Sequence, residues 1–442
     1  MRSIELFAGA GGLALGACGA GFEPEAVVEW DNHCAATLLL NKNAQVAPAS
    51  KWNIQHKDVR FFNYKMINAE VDLVTGGPPC QPFSIGGKHK AFNDARDMWP
   101  EAVRAVRETR PRAFVFENVF GLARPAFAEY LGYVLAQLTF PEIVRRVDEK
   151  WDDHAKRLAI QMKDKSRSIL RYSVRKDVLD AANFGVPQRR RRLFIVGFRD
   201  DLDIDYKFPV PTHSKWALDE QKRTGQYWER HGIRVPIIDV SSPKLRLADE
   251  LPVKPWRTVR DALIGLPDPE NADHRFANHR FQPGARVYVG HTGSPLDQPA
   301  KALKAGDHGV PGGENMMVKD DRSVRYFTVR EAARIQTFPD TYMFGGAWSE
   351  QMRQLGNAVP VELARVVLSG VASRLSCTKT CTNADLGAIL RTSDDKREAL
   401  QSIGQNAFVR ERGERSAAAN GCPSPRDSTF QRSGLVPDLL LR

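Results

Sequence analysis

Four short apolar runs, each cut off by a turn that neither a helix nor a strand can continue through, constrain this chain more than any other feature. Ile4-Glu5-Leu6-Phe7 runs into Ala8-Gly9-Ala10-Gly11-Gly12, and Ala26-Val27-Val28 ends in Glu29-Trp30-Asp31. Val71-Asp72-Leu73-Val74 stops at Gly76-Gly77-Pro78-Pro79-Cys80, and Ala113-Phe114-Val115-Phe116 delivers Glu117-Asn118-Val119. Runs this short and this β-branched read as buried strands, and paired glycines and prolines end them abruptly. Open α/β sheets hold their ligands at the carboxyl ends of the strands, where these turns lie. The expected fold class is therefore α/β, a doubly wound, mixed but mostly parallel sheet.

The glycines after the first run let a ligand approach the backbone, and the helix they open offers free N–H groups. Glu29, about 20 positions on, is placed to accept from both hydroxyls of a ribose, with Trp30 beside it to cover a base. Gly9-x-Gly11-x-x-Ala14 alone would equally suit a nicotinamide enzyme. Cys80, on a rigid Pro-Pro turn, is a candidate nucleophile, a role that requires an electropositive and partly open setting; most cysteines merely pack. Ile85-Gly86-Gly87-Lys88-His89-Lys90 reads as a lid over that thiol. Glu117 comes off the next strand on the same edge. In Gln188-Arg189-Arg190-Arg191-Arg192, directly before the apolar Leu193-Phe194-Ile195-Val196, strand alternation puts Gln188, Arg190 and Arg192 on one side.

With 442 residues, 42% of them hydrophobic, the chain can bury a full core and hold two domains. A formal net charge of +11 suits a polyanion such as nucleic acid. The six cysteines form no paired CxxC framework, so no metal is expected, and a reducing cytoplasm is the natural compartment. No signal peptide or membrane span is expected, because Ile4–Phe7 meets glycines rather than a long apolar core. Expected boundaries are 1–212 for the catalytic domain, with a helical insert at about 141–171, and 213–326 for a smaller loop-rich domain. Residues 327–375 return to the first domain, and 376–442 form a disordered tail. Val144, Val147, Trp151, Ala155, Leu158 and Met162 set the helical spacing of the insert. Thr328 is the expected N-cap of a helix through Gln336, and Gln354-Leu355-Gly356-Asn357-Ala358-Val359-Pro360 opens the last apolar helix.

In this order, these stretches resemble the DNA (cytosine-5) methyltransferases. The matching segments are Phe7-Ala8-Gly9-x-Gly11-Gly12, Glu29-Trp30-Asp31, Pro78-Pro79-Cys80-Gln81-Pro82-Phe83-Ser84, Glu117-Asn118-Val119, Gln188-x-Arg190-x-Arg192, Arg330-Glu331 with Gln336-x-Phe338-Pro339, and Gly356-Asn357-Ala358-Val359-Pro360. Glu5 stands where the family usually has Asp, Lys57-Asp58-Val59 replaces a Gly-Asp-Ile phrase, and Ala300 replaces a threonine.

The resemblance implies the S-adenosylmethionine-dependent methyltransferase fold with a target-recognition domain, no metal, and transfer of a methyl group to carbon 5 of a flipped cytosine through a covalent Cys80 adduct. Catalysis would rest on Cys80, Glu117, Arg190 and Arg192. The cofactor site would comprise Phe7, Gly9, Gly11, Gly12, Glu29, Trp30, Asp58, Val59, Pro79, Asn357 and Val359. Gln81, Ser84, Asn118 and Gln188 would meet the substrate. Double-stranded DNA is the implied partner, with a restriction endonuclease as a functional counterpart, for a monomeric bacterial enzyme at the nucleoid. The alternatives within reach of the same residues are a tRNA cytosine-5 methyltransferase and a non-enzymatic DNA-binding protein.

Overall fold

The computed structural model describes residues 1–79, 97–163, 169–234, 254–271, 276–288, 292–305 and 315–380. Cys80, Gln81, Ser84, the expected lid at 85–90 and nearly all of the expected tail lie outside them.

The apolar runs become the strands of one seven-stranded sheet. They are β1 (Arg2–Leu6), β2 (Glu23–Glu29), β3 (Ile54–His56), β4 (Leu73–Gly76), β5 (Ala113–Val119), β6 (Tyr172–Asp180) and β7 (Arg191–Arg199), in the order β3-β2-β1-β4-β5-β7-β6. β1, β2, β3, β4 and β5 pair in parallel, and β7 runs antiparallel to both β5 and β6. The chain leaves β1 towards β2 on one side and returns to β4 on the other. The strand order therefore reverses between β1 and β4, the position where doubly wound sheets open a crevice.

Helices cover both faces. α1 (Gly12–Gly19) and α2 (Asn32–Asn43) follow β1 and β2, and α3 (Trp99–Thr109) and α4 (Ala128–Thr139) flank β5. Ile4, Leu6, Val74, Phe114 and Phe116 pack with Trp99, Val103, Leu131 and Val134 on one face. On the other, Leu73, Ala113, Val115 and Val196 pack with Leu13 and Ala17 and with Leu363, Val367, Val371 and Leu375. Those last four belong to α11 (Val361–Thr380), which runs past the expected end at 375. Residues 348–377 are long and apolar enough to cross a membrane, but most of that apolar surface is buried in this core. Arg112 anchors the last part of the helix, pairing with Asp72 at 2.9 Å and donating to the Leu375 carbonyl at 2.8 Å.

The insert differs from its expected form. Its helix, α5 (Trp151–Lys163), starts ten residues after Pro141, and Val144 and Val147 lie exposed before it. On α5 only His154 and Leu158 are buried, and Met162 is half exposed. His154 takes the place of an apolar anchor, bridging the Tyr133 hydroxyl at 2.8 Å and the Ile143 carbonyl at 2.7 Å. The apolar spacing overstated the helix because its first members lie in a loop.

Beyond β7 the segment to 326 holds α6 (Lys215–Arg223), α7 (Gln226–Arg230), α8 (Val259–Leu263) and short strand pieces. Leu218, Tyr227, Trp228 and Trp256 form a small cluster with Ala182, whereas Val259, Ala262, Ala300, Leu303 and Met317 join a core with Leu38, Trp52, Ile335 and Leu355. α9 (Val329–Ile335) begins at Thr328 with a reciprocal capping box to Glu331. Arg330 is fully buried and donates to the carbonyls of Ala277, Pro339 and Tyr342. α10 (Trp348–Asn357) then leads into α11.

Glu5 lies in the middle of the sheet, on the side of β1 opposite Ile4 and Leu6. One carboxylate oxygen accepts from the Ser3 hydroxyl at 2.8 Å, and the other has no partner among the described residues. Burial pushes its pKa up to about 8. An unfolded Glu5 ionises near 4.5, so folding holds a proton across the interval from there to about 8 and stability falls as pH rises through it. Glu5→Gln keeps the acceptor for Ser3 and removes the titration. Unfolding by denaturant should show the variant about 4 kcal/mol more stable than wild type at pH 8 and about 1 kcal/mol more stable at pH 5. Equal differences at the two pH values would assign Glu5 an ionised folded state.

Candidate active site

The first turn is shaped from below. Gly11, with φ of 86°, is the left-handed N-cap of α1, and a Cβ there would lie 2.9 Å from the Tyr342 hydroxyl. That hydroxyl donates to the Ala10 carbonyl at 2.8 Å. A Cβ on Gly12 would meet the Val359 carbonyl oxygen at 2.3 Å, so the turn and the segment before α11 touch backbone to backbone. Glu29 braces the same turn: one oxygen accepts from the Gly9 amide at 2.6 Å, the other from the amides of Trp30 and Asp31 at 2.9 and 2.7 Å. Burial raises its pKa against these three N–H groups.

Two cavities open at the ends of β1, β2 and β4. The first, about 360 Å³, is lined by Phe7, Val28, Glu29, Trp30, Asp58, Val59, Pro79 and Met98. Trp30 is 66% exposed and forms a free-standing wall. Asp58 caps the turn after it and pairs with Arg60, whose guanidinium keeps the Asp58 carboxyl below the usual carboxylate range. The second cavity, about 520 Å³, shares Phe7, Glu29, Trp30 and Pro79 with the first and extends to Gly9, Gly12, Gly77, Glu117, Asn118, Asn357 and Val359.

Glu117 stands at the far end of this cleft, beside Gly77, where an added Cβ would be 3.3 Å from its carboxylate. The β5–β7 register pairs Val119 with Arg192 and Glu117 with Phe194, and Arg192 Nε reaches Glu117 at 2.8 Å. Burial raises the Glu117 pKa, with Arg192 and then Arg190 opposing it, and burial also lowers that of Arg192. Asn118 donates its amide to the Pro78 carbonyl at 2.9 Å and so holds the turn that leads into position 80. Among the described residues no cluster of His, Cys, Asp and Glu suits a metal ion.

A family model, C-5 cytosine-specific DNA methylase, matches residues 1–140 and 151–372. The chain belongs to this family. It is a DNA cytosine-5 methyltransferase, and the family's methyl donor is S-adenosylmethionine. The break at 141–150 falls on the loop that precedes α5. Type II methyltransferase M.PspPI of Psychrobacter sp. is 31% identical over 380 residues, covering 84% of this chain and 79% of that protein. M.Eco47II of Escherichia coli is 30% identical over the same shares of the two chains. M.NgoMIV of Neisseria gonorrhoeae is 30% identical, covering 83% of this chain and 95% of its own. The fold is shared with two solved structures, each matched over 85% of this chain. A DNA modification methyltransferase from an E. coli prophage has a TM-score of 0.52 at 21% identity, and a Spodoptera frugiperda DNMT2 mutant a TM-score of 0.51 at 16%.

In this methylase, Gln188 and Arg190 precede β7, which begins at Arg191, and they meet partners other than that of Arg192. Gln188 is fully buried, donating to Gln336 at 3.1 Å and accepting from the Leu303 amide at 3.0 Å. Arg190 is 1% exposed and donates to the carbonyls of Leu303, Gly356 and Ala358. Neither is among the described residues that line the two cavities, and the bonds of both tie distant segments together. Sequence reading missed Met98, which lines the first cavity, and Arg353, which lines the second and pairs with Asp31 across its rim at 3.1 Å. Arg353 carried a usable signal: it lies four residues before Asn357, on the same face of α10.

Proposed function

We propose that this methylase modifies carbon 5 of one cytosine within a specific duplex DNA site, through a transient bond between Cys80 and carbon 6 of the base, as the protective partner of a restriction endonuclease. The observation that carries this reading is the shared wall of the two cavities: Pro79 lines both, Glu117 closes the far end, and the chain enters Cys80 directly from Pro79.

The first cavity suits S-adenosylmethionine. Phe7, Val28 and Val59 offer apolar walls for a purine, Trp30 an exposed ring to lie against it, and Asp58 a carboxylate for its amine. Glu29 is the acceptor available to a ribose, and Gly9, Gly12, Asn357 and Val359 would take the amino-acid end in the second cavity, with Gly11 shaping the turn beneath them. When bound, the cofactor supplies an electrophilic methyl on sulfur.

The protein's task is to make carbon 5 a nucleophile. Cys80 as thiolate would add to carbon 6, forming the S–C6 bond, while neutral Glu117 protonates ring nitrogen 3. The raised pKa of Glu117 keeps that proton available. Arg192 orients Glu117 and would itself supply the positive charge that the thiol needs and a donor for the base carbonyl. After transfer, the carbon 5 proton leaves to a base, nitrogen 3 returns its proton, and the S–C6 bond breaks to free Cys80.

A stacked base cannot reach such a cleft, so flipping is required, at a cost of a few kcal/mol. Phosphate contacts from a chain of net charge +11 would offset that cost and make affinity fall with salt. Residues 213–326 would read the groove, Gln81 and Ser84 would meet the flipped nucleotide, and the enzyme would act as a monomer in the bacterial cytoplasm, at the nucleoid.

Bisulfite sequencing of plasmid from an expressing host tests the reading. Methylated cytosine at one recurring short sequence, on nearly every copy, is the expected result. An unmodified plasmid alongside modified tRNA would overturn it.

A further inference from the structure

Among the described residues, Arg190 has no carboxylate as a hydrogen-bond partner. Its two terminal nitrogens donate to Leu303 at 2.8 Å, Gly356 at 2.6 Å and Ala358 at 3.0 Å, all main-chain carbonyls. Leu303 belongs to the loop-rich segment 213–326; Gly356 and Ala358 flank Asn357, which lines the cleft. The two segments meet without side chains between them, since a Cβ on Gly356 would lie 2.3 Å from the Ala305 nitrogen and 2.4 Å from the Lys304 carbonyl carbon. Gln336 holds the same turn from a third side, donating to the carbonyls of Leu355 and Ala358. With the carbonyls of 356 and 358 both turned towards Arg190, the 356–357 and 358–359 peptide planes, which bracket Asn357 and Ala358, are fixed. Val359, next along, rests its own carbonyl against Gly12.

We infer that Arg190 is a positioning residue for the cofactor: by gathering these three carbonyls it sets the Asn357–Val359 wall of the cleft and ties it to residues 303–305 of the loop-rich segment. This rests on the reading of that cleft as the S-adenosylmethionine site. The consequence is a coupling in which cofactor binding and the placement of the recognition segment influence each other reciprocally. A guanidinium can serve three acceptors at once through its planar fork, a geometry that a lysine ammonium on a shorter reach cannot reproduce.

The test is calorimetric titration of the full-length protein with S-adenosylmethionine, paired with single-turnover methyl transfer at saturating cofactor. Arg190→Lys should weaken cofactor binding about tenfold or more while the saturated transfer rate stays within about threefold of wild type. Arg112→Lys disturbs a similarly buried arginine whose bonds go to Asp72 and the Leu375 carbonyl and not to the wall, so it should lower the melting temperature without a comparable change in cofactor affinity. Unchanged affinity in Arg190→Lys with a collapsed saturated rate would mean that Arg190 touches the base, and equal affinity losses in both variants would mean mere structural support. Either overturns the inference.

If Arg190→Lys does not fold, hydrogen exchange on the wild-type protein decides. Added cofactor should slow exchange at the Leu303 and Lys304 amides, and unchanged rates there overturn the coupling. A wild-type protein that does not take up the cofactor would overturn the assignment of the cleft itself, and the clamp with it. Binding by wild type with no loss in the variant overturns the clamp alone.

Discussion

Cys80→Ser should lower methyl transfer by on the order of 10⁴ or more, because a serine hydroxyl at neutral pH is a far poorer nucleophile than a thiol of which a few per cent is already thiolate. Cofactor affinity should stay near wild type, since every described wall of the first cavity except Pro79 comes from other segments. DNA carrying 5-fluorocytosine at the target sharpens the measurement. With fluorine in place of the carbon 5 proton, elimination is blocked, so wild-type enzyme should accumulate a denaturation-resistant adduct and the variant none. Transfer of labelled methyl at a near-normal rate by Cys80→Ser would end the covalent reading.

Glu117→Gln is the second large effect. The amide keeps the shape and an acceptor for Arg192 but has no proton to give to ring nitrogen 3, and a fall of about 10² to 10⁴ in the single-turnover rate is expected. The pH dependence carries more information than the size of the loss. Because burial raises the Glu117 pKa, its neutral and active form survives to higher pH than an ordinary glutamate would allow. The wild-type rate should therefore rise with formation of the Cys80 thiolate and fall as Glu117 ionises, and only the falling arm should vanish in the variant. A variant profile of unchanged shape would reassign the proton to another group. Some stability should be lost as well, since Arg192 keeps its charge in a nearly buried place and loses its carboxylate partner.

Much of this arrangement is legible in the order of the amino acids alone, and how much depends on the range of the interactions. Strand ends are local: a β-branched run stopped by Gly-Gly-Pro-Pro or by Glu-Asn-Val marks the edge of the sheet where the cleft opens. The glycine turn and Glu29 are nearly as local, 20 residues apart and on adjacent strands. The contacts of Gln188 and Arg190 are another matter. Alternation predicts a shared side, but both precede the strand, and their partners lie 113 to 168 residues away and are mostly main-chain atoms, to which no side-chain pattern points. The insert failed for the opposite reason. Its apolar spacing extends over too long a span, and the interior position on α5 is filled by His154, whose two ring nitrogens find partners that no hydrophobic period would reveal.

The layer under the central strands is assembled from opposite ends of the polypeptide, α1 from its beginning and α11 from beyond residue 360. A growing chain that has already delivered all seven strands must therefore wait for well over a hundred further residues before that face is covered. At roughly 5–20 residues per second the delay is on the order of ten seconds or more. During that time the part of this face that α11 covers is open to solvent or a chaperone. Ribosome speed and chaperone supply thus bear on the yield of active enzyme as directly as any residue in its cleft.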